Sequence, residues 1–429
     1  METWSQPELS PEEMVARLLG RYAQEGWAPT LLGVGPMSSL VVRAALETGQ
    51  EADCPVMLIA SRNQVDSASF GGGYVEGWTQ DAFAAGIRAL ASQIGFDGLL
   101  YICRDHGGPW HRDEELRASL PVDRAMASAV ESYQADLEAG FHLLHLDPTR
   151  DPTGTVPLGV VIERSLALAL PIERARQQRG LPAVSYEIGT EETSGGLTAE
   201  ADFATFITDL LGQFSEKALP RPAFIVGQTG TLIKMRENIG TFDGATARRL
   251  AGIARDNGLG FKEHNADYLP QDILAAHPEL GITAANVAPQ FGAAETQALF
   301  ALADREAAAI RENPGTDVTP SDFRKTVEEK ALAGRRWVKW LRPAEKGTTE
   351  DDLRGDDARR EEVAAVCGHY TFTDPQVQAA RRRLYANAQA LGMAADPERE
   401  VLDAIKGTIA HYIEPFRLPG LTTWLRTTR

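Results

Sequence analysis

The chain has 429 residues, 43% of them hydrophobic, with 43 Lys and Arg against 60 Asp and Glu for a formal charge of −17. That balance argues against a general binder of phosphate backbones, which needs clustered cations to displace counterions, and reads more simply as a source of solubility. No apolar run approaches the roughly 20 residues of a membrane span. The N-terminus lacks the basic and apolar regions of a secretion signal, and Cys54, Cys103 and Cys367 are too few and too widely spaced for a disulfide frame. A cytoplasmic protein is expected, with neither nucleic acid nor membrane as partner.

Ser10-Pro11-Glu12-Glu13 is a capping box with proline at the first helical position, followed by apolar residues at helical spacing. Strand, helix, strand then follow: Thr30 to Val34, Leu40 to Glu47, and Val56 to Ala60, which runs into Ser61-Arg-Asn63-Gln64. The glycine-rich Ser69 to Tyr74 has no Lys-Ser/Thr ending and opens no helix directly after a strand, so it reads as an active-site loop and not as a nucleotide fingerprint. A helix over Thr79 to Ile94 leads to Gly98-Leu-Leu-Tyr-Ile-Cys103-Arg-Asp105-His106-Gly-Gly-Pro109, an apolar strand stopped at an Asp-His pair and a forced turn.

After a helix over Val122 to Ala139, alternation along His142 to Asp147 puts Leu143, His145 and Asp147 on one face, with Asp147 at the strand end. A helix to about Gln178 precedes the strand Ala183 to Ile188, which runs into Thr190-Glu191-Glu192. Ala199 to Gly212 is helical, Ala223 to Val226 extended, and Gln228 follows it. Ala245 to Asp256 is a helix, Gly260 to Lys262 a strand, and His264-Asn-Ala-Asp267-Tyr268 its loop. A short helix over Gln271 to Ala276, a last strand over Ile282 to Val287 that holds Asn286, and a long helix over Ala293 to Arg311 complete eight units. Regular β/α alternation with polar loops after the strands predicts a TIM (β/α)8 barrel over residues 1–312. From Asn313 strand candidates vanish, charge runs appear, and helices near 323–341, 375–391 and 397–412 predict a helical C-terminal subdomain over residues 313–429.

Strand ends thus supply Asn63, Gln64, Asp105, His106, Asp147, Glu191, Gln228, His264, Asp267 and Asn286, a ring costly to bury without use. Two imidazoles with a carboxylate suit zinc first and manganese second, so His106, Glu191 and His264 are the ligand candidates. One histidine alone reads equally well as a hydrogen-bonded core residue; two at barrel strand ends favour ligands. His142, His277, His369 and His411 read as structural, and His111 is left open.

The motifs Ser61-Arg-Asn-Gln-Val65, Asp105-His-Gly-Gly-Pro109, Ala139-Gly-Phe-His-Leu-Leu-His-Leu-Asp147, Ser185-Tyr-Glu-Ile-Gly-Thr-Glu191, His264-Asn-Ala-Asp-Tyr268 and Asn286 to Pro289 occur in one order along the chain. In them the chain resembles the class II tagatose-bisphosphate aldolase subunits of the GatZ/KbaZ type, a TIM-barrel family with a helical C-terminal part. The resemblance implies carbohydrate metabolism and metal-dependent retro-aldol or aldol chemistry on a tagatose-type ketose or ketose phosphate, as an aldolase or a C4-epimerase. The alternative is a non-catalytic subunit that stabilises a separate class II aldolase chain; a homo-oligomer is also open. A sugar kinase is disfavoured by the lack of a Walker-type loop.

By the same resemblance Asp105 is the acid/base, with Asp147 second to it, and His106 and His264 are ligands. Gly227-Gln228-Thr229 stands where the aldolases carry their middle histidine, which leaves Glu191 to complete the metal site. Asn63, Gln64, Gln228, Lys262, Asp267 and Asn286 are the substrate-binding candidates. Two further departures, the Asn-Ala-Asp-Tyr run after His264 and Gly35-Pro-Met-Ser38 at the first strand, leave the sugar and its phosphate unspecified.

Overall fold

The computed structural model describes residues 7–190 and 196–428. Its strands, in chain order, are β1 (Leu31–Val34), β2 (Val56–Ser61), β3 (Leu100–Asp105), β4 (Leu143–Leu146), β5 (Ser185–Ile188), β6 (Phe224–Val226), β7 (Ile233–Lys234), β8 (Glu237–Asn238), β9 (Gly260–Glu263) and β10 (Ile282–Val287). Eight of them close a parallel barrel in the order β1-β10-β9-β6-β5-β4-β3-β2, and β7 and β8 form a small antiparallel pair in the loop after β6. This is the expected (β/α)8 barrel with extra C-terminal helices. The β7–β8 pair has no counterpart in the sequence reading, because two-residue strands carry no periodicity to detect.

Barrel strands are buried on both faces, so each is almost wholly inaccessible, and their polar residues need internal partners. Arg104 on β3 shows how this is met. It turns outward to the helix Val122–Ala139, where its Nε and Nη2 donate to Asp136 at 2.8 and 2.5 Å, and Nη1 donates to the carbonyls of Ala60 and Val65 at 2.9 and 2.8 Å. The next residue, Asp105, therefore turns inward at the strand's C-terminal end.

The helix Pro11–Glu25 forms as its capping box predicts: Ser10 Oγ accepts from the Glu13 N–H, and Glu13 accepts from that of Ser10. It packs against β9 and β10, and Val15 sits beside Gly260 at the start of β9, the bottom of the barrel. The helix Gln271–Leu280 runs a turn longer than its apolar spacing suggests, because His277 in its last turn is buried against Glu263, with Nε2 2.5 Å from Oε2.

Two apolar clusters organise the C-terminal part. Val401, Leu402, Ile405 and Ile409 of the helix Pro397–Ile413 belong to the barrel's own core and pack against the helices Ser39–Ala52 and Pro289–Glu312. Trp337, Leu341, Leu353 and Val363 form a smaller cluster with Met235 from the loop after β6. The acidic run from Glu350 is not merely solvated charge: it folds as Glu350–Arg354 and Asp357–Cys367, capped by Thr349 and Asp356, with Leu353, Val363 and Val366 turned inward. Among the described residues, no helix is long and apolar enough to cross a membrane.

Candidate metal centre

The β3 strand delivers Asp105 and then His106, whose φ of +45° is an uncommon setting for a residue with a side chain. The two glycines that follow are there for close approach. A Cβ on Gly107 would lie 2.4 Å from the Tyr133 ring, and one on Gly108 would lie 1.7 Å from the Asp147 carbonyl oxygen. The loop after β3 is thus pressed onto the end of β4, which brings His106 against Asp147 and His145.

Four potential ligand atoms, one each from Asp105, His106, His145 and His264, lie within 4.8 Å of one another. His106 Nε2 and His264 Nδ1 are 3.2 Å apart, His145 Nδ1 accepts from the His106 backbone N–H at 3.1 Å, and Asp105 Oδ1 is 3.6 Å from His145 Nδ1 and 3.9 Å from His264 Nε2. Behind this group stands a second tier. Glu187 on β5 is 2.9 Å from His264 Nε2 and accepts from Lys262 Nζ at 2.6 Å. Asp147 Oδ2 is 2.6 Å from His106 Nδ1, while its Oδ1 accepts from the Thr149 N–H and hydroxyl at 3.2 and 2.5 Å. His111 stacks on His106 with centroids 5.3 Å apart, and its Nε2 lies 3.1 Å from Asp147 Oδ2 without the alignment of a hydrogen bond.

Charge is shared along this row. Burial works against ionisation of Asp105, but His106, then His145 and His264, hold its pKa well below the carboxylate range. Burial likewise opposes charge on His106, yet Asp105 and Asp147 raise it to about 9. Glu187, despite burial, is held at about 2 by Lys262 and the imidazoles, whereas burial lowers His264 and takes His111 down to about 4. The carboxylates around His106 thus favour its charged form, with Nε2 3.2 Å from His264 Nδ1.

The donor set fits a divalent cation. Nitrogens about 2.0–2.1 Å from a tetrahedral zinc stand roughly 3.3 Å apart, close to the His106–His264 separation, and a cation held there would take the place of a proton between the rings. Both imidazoles are backed by carboxylates, Asp147 and Glu187, the usual outer partners of metal-bound histidine. His145 Nε2, buried, has no hydrogen-bond partner among the described residues. We expect Asp147→Asn to weaken zinc binding about 10–100-fold by removing that backing, read by competition with a chromophoric chelator; unchanged affinity would remove His106 from the ligand set.

His106, His145 and His264 line a cavity of about 340 Å³ at the C-terminal end of the barrel, where Ser61, Asn63, Arg150, Gly189, Asn265 and Lys339 also reach it. Of the candidates from sequence, Asp105, His106, Asp147 and His264 are brought together, and Asn286 joins them by donating from Nδ2 to Asp105 Oδ1 at 3.2 Å. Glu191 lies outside the described residues. Among those described, the third imidazole is His145, and its signal was the alternation that put it on one strand face with Asp147. Glu187 was the other omission.

Several substrate-binding candidates have other duties. Asn63 reaches the cavity, but its amide spans the loop after β3, donating to the His111 carbonyl and accepting from the Asp113 N–H at 2.8 and 3.0 Å. Gln64 caps its own turn by accepting from the Ser61 N–H, Lys262 is committed to Glu187, and the Gln228 backbone N–H donates to Thr198; none of these three lines the cavity. His142, His277, His369 and His411 all lie outside the cluster, as expected.

Asp267 also turns away. Its Oδ1 accepts the N–H groups of Ala288 and Gln290 at the start of the helix Pro289–Glu312, and burial raises its pKa to about 7. A carboxyl with a raised folded pKa stays protonated while the unfolded chain ionises, so its cost grows as pH rises from about 4 to 7. Asp267→Asn keeps an oxygen for both bonds and should raise stability at pH 8 by on the order of 2–4 kcal/mol with no gain near pH 4, read by urea unfolding; an equal gain at both pH values would show that the charge is not the cause.

The family model that matches is described as D-tagatose-1,6-bisphosphate aldolase subunit GatZ/KbaZ-like and covers residues 21–396. The chain belongs to the GatZ/KbaZ-like family. Its curated relatives include D-tagatose-1,6-bisphosphate aldolase subunit GatZ from Escherichia coli strain SMS-3-5 / SECEC and the same subunit from E. coli O7:K1 strain IAI39 / ExPEC. Each is 30% identical over 290 residues, which is 62% of this chain and 66% of the relative. The match to these GatZ relatives therefore spans just under two thirds of their length. Among solved structures, a probable tagatose 6 phosphate kinase from Sinorhizobium meliloti 1021 superposes with a TM-score of 0.72 at 22% identity, over 90% of this GatZ/KbaZ-like chain and 100% of that one. That likeness is one of fold.

Proposed function

We propose that this chain acts in ketose metabolism as a subunit of a tagatose-bisphosphate-type aldolase assembly, and that its own barrel holds a divalent cation at His106, His145 and His264. The first half is supported by the family match and by the likeness to GatZ aldolase subunits. The second rests on one observation, the convergence of three imidazoles and Asp105 within 4.8 Å at the mouth of a parallel barrel.

When bound, a divalent cation supplies Lewis acidity toward carbonyl and hydroxyl oxygens. The rest falls to side chains. Asp105, accepting from Asn286 Nδ2 and with 12% side-chain exposure, is the base this reading assigns to the C4 hydroxyl proton as the C3–C4 bond of a ketose breaks. Asp147 orients His106 in place of acting as a second base, and the Lys262–Glu187 pair orients His264. An aldehyde that turns and recombines gives the C4 epimer; one that leaves gives aldolase activity.

Purified protein, alone and with a class II aldolase chain, tests both halves through metal analysis, NMR of tagatose-type ketoses and ketose phosphates, and the mass of any complex. Bound metal with turnover by the chain alone supports the site chemistry. Absence of both, with a stable complex that sustains the partner's activity, would leave the subunit role and overturn the rest. Absence of any complex would overturn the subunit role.

A further inference from the structure

The cavity has a second chemical character beside its imidazoles. Lys339 lies on the turn Arg336–Trp340 of the C-terminal part and is the cavity-lining residue contributed from beyond Asn313. The turn is firmly seated. Trp337 is fully buried in the smaller apolar cluster and its Nε1 donates to the Leu332 carbonyl at 3.0 Å, while the carbonyls of Trp340 and Lys339 accept from Met235 N–H and Lys234 Nζ at 3.0 and 2.7 Å. A rigid backbone thus presents the Lys339 ammonium to the barrel mouth.

No carboxylate of the described residues lies within 4.0 Å of the Lys339 ammonium. It sits instead 5.3 Å from the Trp340 ring centroid and 5.2 Å from that of Tyr370, contacts that position a cation without cancelling its charge. Dehydration by the surrounding protein lowers its pKa although the side chain keeps access to solvent, and of its charged neighbours Asp113 opposes this while Arg336 and Arg150 add to it. Arg150 lines the same cavity. In a chain of net charge −17, a lysine ammonium with no carboxylate beside it at the edge of a polar cavity is a place where an anion is drawn in.

We propose that Lys339 is a substrate-binding residue that takes the terminal anion, phosphate or carboxylate, of a ketose whose carbonyl end lies at the His106–His145–His264 cluster. The inference rests on the site chemistry put forward above and assigns the C-terminal part a role in choosing substrates. The shared chemistry is a tetrahedral or planar oxyanion at the end of a short polyhydroxylated chain, a size that a cavity of about 340 Å³ accommodates.

The test titrates the full chain with inorganic phosphate and, separately, with acetate at low ionic strength, by calorimetry, alongside zinc binding. Lys339→Gln should weaken the preferred anion about ten- to a hundred-fold, Lys339→Arg should restore most of it, and Lys346→Gln, an exposed lysine nearby, should change nothing. Preference for phosphate or for acetate identifies which oxyanion the subsite takes. Anion binding that is equal in Lys339→Gln and the parent, or absent from the parent, overturns the proposal. His264→Ala separates the two readings: it should keep the anion and lose zinc, so failure of the metal site leaves the Lys339 result standing, and the reverse holds for Lys339→Gln.

Discussion

Replacing His264 with alanine is expected to leave a folded barrel that no longer retains zinc. His264 is the hinge of the cluster: Nδ1 faces His106 Nε2 at 3.2 Å, Nε2 faces Glu187 at 2.9 Å, and the ring stands edge-on to both His106 and His145. Its removal takes away a first ligand and also strands the Lys262–Glu187 pair, so the loss of affinity should exceed the roughly 100-fold upper range for an outer partner. The fold should survive, because the backbone at this point is held elsewhere, with the His264 carbonyl accepting from Thr231 Oγ1 and the Ala266 N–H donating to the Asn286 carbonyl. Zinc content after dialysis, beside a melting curve, measures both. Full retention by a folded His264→Ala protein would exclude His264 as a ligand.

Asp105→Asn should separate binding from chemistry. The amide has the carboxylate's shape but cannot accept a proton, and general-base catalysis of this kind contributes typically about 10²–10⁴-fold. We therefore expect turnover of a tagatose-type ketose to fall by that order while zinc stoichiometry stays intact, since three imidazoles remain. The pH profile should change too. In the parent, the neighbouring imidazoles hold Asp105 well below the carboxylate range, and Asp105 with Asp147 raises His106 to about 9. The substitution removes the largest of the carboxylate charges that raise His106, leaving Asp147 and Glu187, so its pKa falls and metal uptake extends to lower pH. Loss of zinc together with activity would make Asp105 a ligand in place of a base.

Much of the barrel was readable from sequence because each strand is a short apolar run bounded by turn formers and helices of clear periodicity. The Asp105-His106 pair stood out for the same reason: it interrupts an apolar strand just before Gly107-Gly108-Pro109. His145 and Glu187 were harder to see because both lie inside their strands, flanked by apolar residues, and only closure of the barrel shows which strand face meets the cavity. Charge at strand ends pointed to Glu191, outside the described residues, while the carboxylate that meets His264 comes from β5 itself.

Partnerships across the fold were equally hidden. Lys262 looks like a substrate contact until Glu187 is found opposite it, 75 residues away in sequence, and so does Asp267 until it is seen to cap the helix Pro289–Glu312 from the loop after β9. Lys339 belongs to a segment that reads in the sequence only as a helix near 323–341, and the docking of Trp337 brings it to the barrel mouth.

The most direct measurement of the central claim is anomalous diffraction at the zinc edge from crystals of the full chain grown with zinc. A single strong peak among His106 Nε2, His145 and His264, within bonding distance of at least two of these rings, is the expected result. Zinc found only at surface carboxylates or other histidines, with the cluster's hydrogen bonds unchanged, would contradict it.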